Sequence, residues 1–192
     1  MEKTPTCISA ASAVKTLLAT PEYKAAKRIS VYLSMPSGEI STSGIVHDAL
    51  KQSKRVFIPY TYKPTTSREG QPKSIMDMVE LTSVADYEGL QRDHWGIPTP
   101  SQDSIAARAN SFGGMGLTEG EAKEQQGESG LDLIVMPGMA FDSNFGRLGH
   151  GKGFYDYFLQ RCHQSSRMPF RGKTFCIKVG DGYANRTQSA SH

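Results

Sequence analysis

The apolar positions of the chain change their spacing from one segment to the next, from helical periods to short continuous runs. In the first segment they recur at helical spacing up to Thr20-Pro21, which predicts the end of the helix; they are Ile8, Ala11, Val14, Leu17 and Leu18. Residues 29–33 then predict a strand, residues 42–52 a helix with a Thr or Ser cap, and residues 55–58 another strand. This alternation predicts an α/β domain with a mainly parallel or mixed sheet flanked by helices, and a ligand at the carboxyl ends of the strands.

Two stretches of the chain are rich in glycine, serine and charged or amide residues, and both predict surface loops: residues 62–74 and residues 101–130. The second stretch is long for a connection in a compact domain. We therefore expect it to be a mobile insert, or a short helix near residues 104–109 followed by disorder. Residues 131–136 predict a buried strand, and the polar residues 179–192 predict a disordered tail after a domain that spans residues 1–178.

Composition narrows the class of protein. With 192 residues, 38% of them hydrophobic, the chain can bury one substantial core. A net charge of +3 without a block of Lys or Arg does not indicate a nucleic-acid partner, and it is sufficient for a small anionic ligand. No segment approaches membrane-spanning length and residues 1–26 lack an apolar signal core, so we expect a cytoplasmic protein; their Ser, Ala and Lys content leaves a mitochondrial transit peptide as the alternative.

The three cysteines, Cys7, Cys162 and Cys176, are odd in number and widely spaced. This pattern argues against a disulfide framework and against a cysteine-rich zinc site. It is typical of a protein in a reducing compartment.

The segment from Gly146 to Asp156 combines four glycines, the cations Arg147 and Lys152, and one carboxylate. Glycines allow backbone amides to approach phosphate oxygens, and apolar residues at 154, 158, 159 and 162 predict that a helix N-terminus follows. The segment therefore predicts a polyphosphate site in which Asp156 holds a metal. Two plainer interpretations remain beside it: the glycines form turns, and Asp156 complements the helix dipole.

The spacing from Gly146 to Lys152 also satisfies the phosphate-binding loop of nucleoside triphosphatases. In that loop a serine or threonine follows the lysine, whereas Gly153 follows it here. Residues 137–145 also separate the run from the nearest predicted strand. An ATP-dependent kinase of this type is therefore the less favoured alternative.

With Met136-Pro137-Gly138-Met139-Ala140-Phe141-Asp142 ahead of it, the glycine run resembles the signature of the 5-formyltetrahydrofolate cyclo-ligase family. Weaker similarities bring the coverage to about residues 8–177; they lie at residues 27–35, 57–59, 76–79 and 95–100. The resemblance implies a CoA-transferase-like α/β fold and a monomeric enzyme. It also implies ATP- and Mg²⁺-dependent cyclisation of 5-formyltetrahydrofolate to 5,10-methenyltetrahydrofolate, with release of ADP and phosphate.

The same resemblance implies roles for particular residues, with Arg147 and Lys152 as the catalytic cations and Asp156 as the Mg²⁺ ligand. Residues implied to contact ATP are Arg147, Leu148, Gly149, His150, Gly151, Lys152, Gly153, Phe154 and Tyr155. Residues implied to contact the reduced folate are Leu33, Glu39, Trp95, His150, Gly151, Lys152, Gly153 and Phe154. By pattern alone Glu39 is a turn carboxylate, Trp95 could equally fill the core, and the remaining histidines lie on the surface.

Two differences from the family pattern lie near the ends. A basic helix of Lys-x-x-Leu-Arg type that precedes residue 8 in the family is not found here, where only Lys3 and Lys15 could substitute, and the residues after Ile177 do not carry the family's further acidic metal position. We expect weaker nucleotide binding, and a truncated or alternatively processed gene product. The alternative function is a non-catalytic folate or nucleotide binder.

Overall fold

The computed structural model describes residues 10–66, 69–120, 130–141, 147–149, 151–164, 173–178 and 184–186. Its helices are α1 (Ala10–Ala19), α2 (Pro21–Ala25), α3 (Ser43–Lys51), α4 (Val84–Glu88), α5 (Gln102–Ile105) and α6 (Phe154–Gln164). Its strands are β1 (Arg28–Val31), β2 (Arg55–Tyr62), β3 (Ile75–Leu81), β4 (Gln91–Arg92), β5 (Pro98–Thr99), β6 (Leu133–Gly138), β7 (Ala140–Phe141), β8 (Arg147–Leu148), β9 (Lys173–Lys178) and β10 (Ala184–Arg186).

Six of the strands form one mixed sheet in the order β10-β9-β6-β1-β2-β3. The four central strands β9, β6, β1 and β2 are parallel to one another, and β10 and β3 pair antiparallel at the two edges. This confirms the predicted α/β fold with a mixed sheet. The antiparallel β2–β3 pair was not predicted. The prediction rested on the alternation of helices and strands, whereas antiparallel strands can follow each other along the chain without a helix between them.

Side chains alternate across the central strands and divide the core into two layers. On one face Ile29, Val56 and Leu133 join a cluster that includes Leu17 and Ile45 from α1 and α3. On the other face Phe57, Ile134 and Met78 pack with Phe158 and Cys162 from α6. Helices therefore cover both faces, as a largely parallel sheet requires.

The helix predicted up to Thr20-Pro21 is confirmed as α1, and the helix predicted over residues 42–52 is confirmed as α3, but the Thr cap predicted for α3 is wrong. α1 ends at Ala19, and Thr20 caps the new helix α2 by accepting a hydrogen bond from the Tyr23 amide at 3.2 Å. Thr42 stands at the N-cap of α3, but its hydroxyl donates to the Tyr32 carbonyl oxygen at 2.6 Å and does not cap the helix. Ile8 lies outside the described residues.

Of the two expectations for residues 101–130, the short helix is present, displaced from residues 104–109 to α5 at residues 102–105, whereas the expected loop or disorder after it is wrong up to residue 120. This part begins with α5 and then runs along the free edge of β3, where the Ser111 amide donates to the Met78 carbonyl and the Glu80 amide donates to the Ala109 carbonyl, both at 2.9 Å. Its polar composition is explained by edge covering, since an edge strand needs hydrogen-bonding partners. Residues 121–129 lie outside the described residues.

The prediction of a disordered tail is wrong at residues 184–186, which form β10 against β9. Residues 179–183 and 187–192 lie outside the described part. Within that part no helix has the length and apolar character needed to cross a bilayer. Cys162 is a buried free thiol, whereas Cys7 lies outside the described residues.

Candidate functional site

Two loops that carry predicted site residues begin at the carboxyl ends of two neighbouring central strands, β1 and β6. β1 and β6 are adjacent and parallel, with Val31 opposite Val135. The chain after β1 leads to Glu39, and the chain after β6 leads to the β7–β8 ribbon and the glycine run. The structure therefore supports the expectation of a ligand site at the carboxyl ends of the strands.

The glycine run, residues 146–153, includes the second strand of the β7–β8 ribbon and leads into α6. Gly151 and Gly153 have φ angles of +79° and +66°, and a Cβ atom at either position would find no atom of the described residues within 4 Å. Glycine is thus favoured there by the backbone conformation and leaves open space beside it. At Gly149 the reason is different, because a Cβ atom would lie 2.6 Å from Arg147 Nη1. Gly146 and His150 lie outside the described residues.

Arg147 is held in place by three groups around it. Its Nη2 donates to Asp156 Oδ1 at 2.9 Å and its Nη1 donates to the Pro137 carbonyl oxygen at 3.3 Å. Its guanidinium carbon lies 5.5 Å from the centroid of the Tyr155 ring, within the range of a cation–π contact. The Arg147 side chain is only 12% exposed, whereas that of Asp156 is 73% exposed. The carboxylate can therefore exchange its partner without opening the core.

The helix after the run is confirmed where the apolar spacing predicted it. Phe158 and Cys162 are buried, Phe154 and Tyr155 are half-buried, and Lys152 and Leu148 are exposed. Asp156 lies in the first turn of α6, so the helix dipole also favours its carboxylate. The structure thus presents a cation, a carboxylate and an exposed lysine at one helix start.

A metal cage built by the protein is not present in the described part of the chain, where no three His, Cys, Asp or Glu side chains cluster. Mg²⁺, however, is commonly bound by one or two carboxylates together with phosphate oxygens and water. Asp156, exposed beside Arg147, fits that kind of shared site.

Glu39 closes the turn that follows β1. Its Oε2 accepts a hydrogen bond from the Met35 amide at 2.8 Å, and Gly38 between them has a φ of +82°. The turn-carboxylate interpretation is therefore correct, and a contact of Glu39 with folate stays a prediction. Leu33 is buried in the core at the start of this loop.

Trp95 does not fill the core, since it is 60% exposed. It stands on a braced turn in which Asp93 Oδ1 accepts from the amides of Trp95 and Ile97 at 2.8 and 2.9 Å. A Cβ atom at Gly96 would lie 2.7 Å from Pro36 Cγ, so this turn lies directly against the loop that carries Glu39. The structure thus brings the Trp95 turn and the Glu39 loop together.

Sequence reasoning missed a buried polar network between Asp77 in β3 and Arg161 in α6. Arg161 Nη2 donates to Asp77 Oδ1 at 2.8 Å, and both side chains are buried. A signal for it was present, since Asp77 interrupts an apolar strand and Arg161 falls on the apolar face of α6 between Phe158 and Cys162. Buried charges of this kind require a partner.

Comparison with known proteins identifies the family of the chain. A model of the 5-formyltetrahydrofolate cyclo-ligase family matches residues 1–178. The chain is 37% identical to the 5-formyltetrahydrofolate cyclo-ligase of Mus musculus over 77% of its own length and 61% of that protein. It is 30% identical to the probable 5-formyltetrahydrofolate cyclo-ligase of Schizosaccharomyces pombe over 88% of its length and 69% of that protein.

The fold is also similar to that of a solved structure. The 5,10-methenyltetrahydrofolate synthetase of Aquifex aeolicus, determined by NMR, superposes with a TM-score of 0.53 at 22% identity, over 93% of this chain and 74% of that one. The chain spans about three fifths of the mouse relative's length. Sheet, glycine run and sequence agree, so this chain belongs to the 5-formyltetrahydrofolate cyclo-ligase family.

Proposed function

We propose that the chain binds MgATP and a reduced folate and catalyses the cyclisation of 5-formyltetrahydrofolate to 5,10-methenyltetrahydrofolate, with release of ADP and phosphate. The observation that carries the proposal is the Arg147–Asp156 ion pair at the start of α6, beside Gly151 and Gly153, where a Cβ atom would meet no atom of the described residues within 4 Å. Family membership supplies the class of substrate.

The reaction needs the formyl oxygen to become a leaving group. That oxygen takes the terminal phosphoryl group of ATP and ADP leaves; the second folate nitrogen then attacks the formyl carbon and phosphate departs. Catalysis of phosphoryl transfer consists mainly of positioning and of neutralising charge on the transferred group. Mg²⁺, when bound at Asp156, would supply part of that neutralisation.

The chain's own residues fit this task. The backbone around Gly151 and Gly153 lies open to an approaching phosphate, and Lys152 between them is exposed. Arg147 is held at the ribbon end by the Pro137 carbonyl. Glu39 and the exposed Trp95 lie on two loops that touch each other, and in the proposal they line the folate side.

The test is a cyclisation assay on the purified chain with 5-formyltetrahydrofolate and MgATP, following the absorbance of the methenyl product. Lys152→Ala should lower turnover on the order of 10²- to 10³-fold, the scale found for loss of one preorganised donor to developing negative charge. Lys51→Ala is the matched control, since Lys51 is an exposed lysine at the far end of α3. Unchanged turnover in Lys152→Ala would reject the proposed role, and ligand binding without product would favour the non-catalytic binder.

A further inference from the structure

A buried ion pair joins α6 to the strand at one edge of the sheet. Arg161 is 5% exposed and Asp77 is fully buried. Arg161 Nη2 donates to Asp77 Oδ1 at 2.8 Å and also to the Met76 carbonyl oxygen, and its Nη1 donates to Thr118 Oγ1 at 3.0 Å. One guanidinium therefore binds both β3 and the segment that covers the edge of β3.

Asp77 is itself held from several sides. Its Oδ2 accepts hydrogen bonds from the Thr118 amide at 2.7 Å, from Asn110 Nδ2 at 3.0 Å and from the Tyr62 hydroxyl at 3.2 Å. Burial, followed by the nearby Asp77 charge, raises the pKa of Tyr62, so this hydroxyl remains a donor. The carboxylate is a fixed point of the sheet to which Arg161 attaches α6.

The pair supplies direction more than stability. Replacing a buried ion pair by apolar groups of similar volume is often neutral or stabilising, so core stability alone does not require it. The guanidinium, in contrast, is planar with donors in fixed directions, so its simultaneous contacts with Asp77, the Met76 carbonyl and Thr118 restrict the rotation and the height of α6. The rings of Phe112 and Tyr157, with centroids 4.7 and 5.4 Å from the guanidinium carbon, restrict it further.

The glycine run lies directly before the first residue of the same helix, α6. With a rise of 1.5 Å per residue, Asp156 stands about 7.5 Å along the axis from Arg161. A rotation of α6 at Arg161 therefore moves Tyr155 and Asp156, the two α6 side chains that contact Arg147.

We propose that Arg161, through Asp77, is a positioning residue for the nucleotide site: it sets the rotation of α6 and thereby places Tyr155 and Asp156 against Arg147. The inference rests on the proposed function, because it concerns the same MgATP site. Arg161 acts without touching the ligand.

The test uses the double variant Asp77→Asn/Arg161→Met, which removes both charges together. In this variant the amide oxygen that replaces Oδ2 of Asp77 still accepts from Thr118, Asn110 and Tyr62, and the new amide nitrogen faces the Thr118 hydroxyl. We expect a melting temperature near that of the wild type, and binding of MgATP weakened by roughly 3- to 30-fold in calorimetric titration, the range of remote positional effects. Arg161→Lys keeps the charge without the planar guanidinium, and its affinity for MgATP should fall between those of the wild type and the double variant.

The matched control is the double variant Arg55→Gln/Glu80→Gln. It removes another Arg–carboxylate pair on β3, with two hydrogen bonds at 2.6 and 2.7 Å, that joins β3 to β2 and not to α6. This control should bind MgATP as the wild type does. In an Arg147→Ala background the loss caused by Asp77→Asn/Arg161→Met should shrink, because contacting groups are non-additive when one acts through the other.

Wild-type affinity in a folded Asp77→Asn/Arg161→Met variant would overturn the inference, as would a full additive loss in the Arg147→Ala background. If the double variant does not fold, Arg161→Lys decides the matter, and wild-type affinity there would likewise overturn it. Absence of MgATP binding by the wild-type chain would reject the proposed function, and the inference with it. Binding by the wild type with equal binding by all variants would reject the inference alone.

Discussion

Gly149 offers a direct way to test whether Arg147 is placed for a ligand. In Gly149→Ala the new Cβ atom would lie 2.6 Å from Arg147 Nη1, so the end of the arginine side chain must move. The move costs folding the ion pair with a carboxylate that is 73% exposed, about 0–1 kcal/mol, and the hydrogen bond from Arg147 Nη1 to the Pro137 carbonyl, about 0.5–1.5 kcal/mol. For a bound phosphate it is costly, since a charge-assisted hydrogen bond contributes about 1.5–3 kcal/mol. The expected loss of MgATP affinity is roughly 10- to 150-fold.

The assay pairs calorimetric titration of MgATP with urea unfolding of the same variant. Urea unfolding should show a decrease of at most about 2.5 kcal/mol in the free energy of unfolding. Gly44→Ala serves as a control for the glycine substitution, because Gly44 does not adopt a positive φ and a new Cβ atom there would lie at an ordinary contact distance of 3.8 Å from Val14 Cγ1. In an Arg147→Ala background, Gly149→Ala should cause no further loss. Unchanged affinity in the single variant, or a further loss in the double variant, would refute the reasoning.

Three further predictions follow from named contacts. In the presence of EDTA, Asp156→Asn should bind ATP up to about fivefold more tightly than the wild type, since Arg147 loses its competing carboxylate. With Mg²⁺ the same variant should bind ATP more weakly, and the exposed Asp103→Asn is the control. Calorimetry that shows the same sign of change in both conditions would contradict this. Hydrogen bonds from Arg108 lower the pKa of Asp86 below its ordinary 3.8, so the carboxylate contributes stability above pH 3.8 and loses that contribution as the pH falls through the folded pKa. The difference in unfolding free energy between the wild type and Asp86→Asn should therefore stay constant from about pH 7 to 5 and narrow below about pH 4. Burial raises the pKa of Cys162 to about 12, so peptide mapping after iodoacetamide treatment at neutral pH should find this thiol labelled only in denatured protein.

Elements with a strong local pattern were predicted well from the sequence. The apolar spacing of Phe158 and Cys162 placed α6, and both residues are buried. β6 was displaced by two residues, from 131–136 to 133–138, because its apolar run does not mark which residues pair. Family membership was also predicted correctly, since the glycine run carries a specific order of residues that needs no three-dimensional information.

The interpretations that failed concern segments whose partners are distant in the chain. Residues 109–111 have the composition of a surface loop, yet they pair with β3 because that edge needs hydrogen-bonding partners. The residues around this segment do not contain that outcome.

The amino-acid order was sufficient for the α/β class and for the helix after the glycine run, because periodicity and residue type act over a few neighbouring positions; the chemistry of Arg147, Lys152 and Asp156 stays a prediction. The pairing of Arg161 with Asp77, 84 residues apart, required the folded chain. So did the contact of the Trp95 turn with Pro36 and the exposure of Asp156 beside a shielded Arg147. Such contacts depend on which strands become neighbours in the sheet, and the packing of the whole core selects that order.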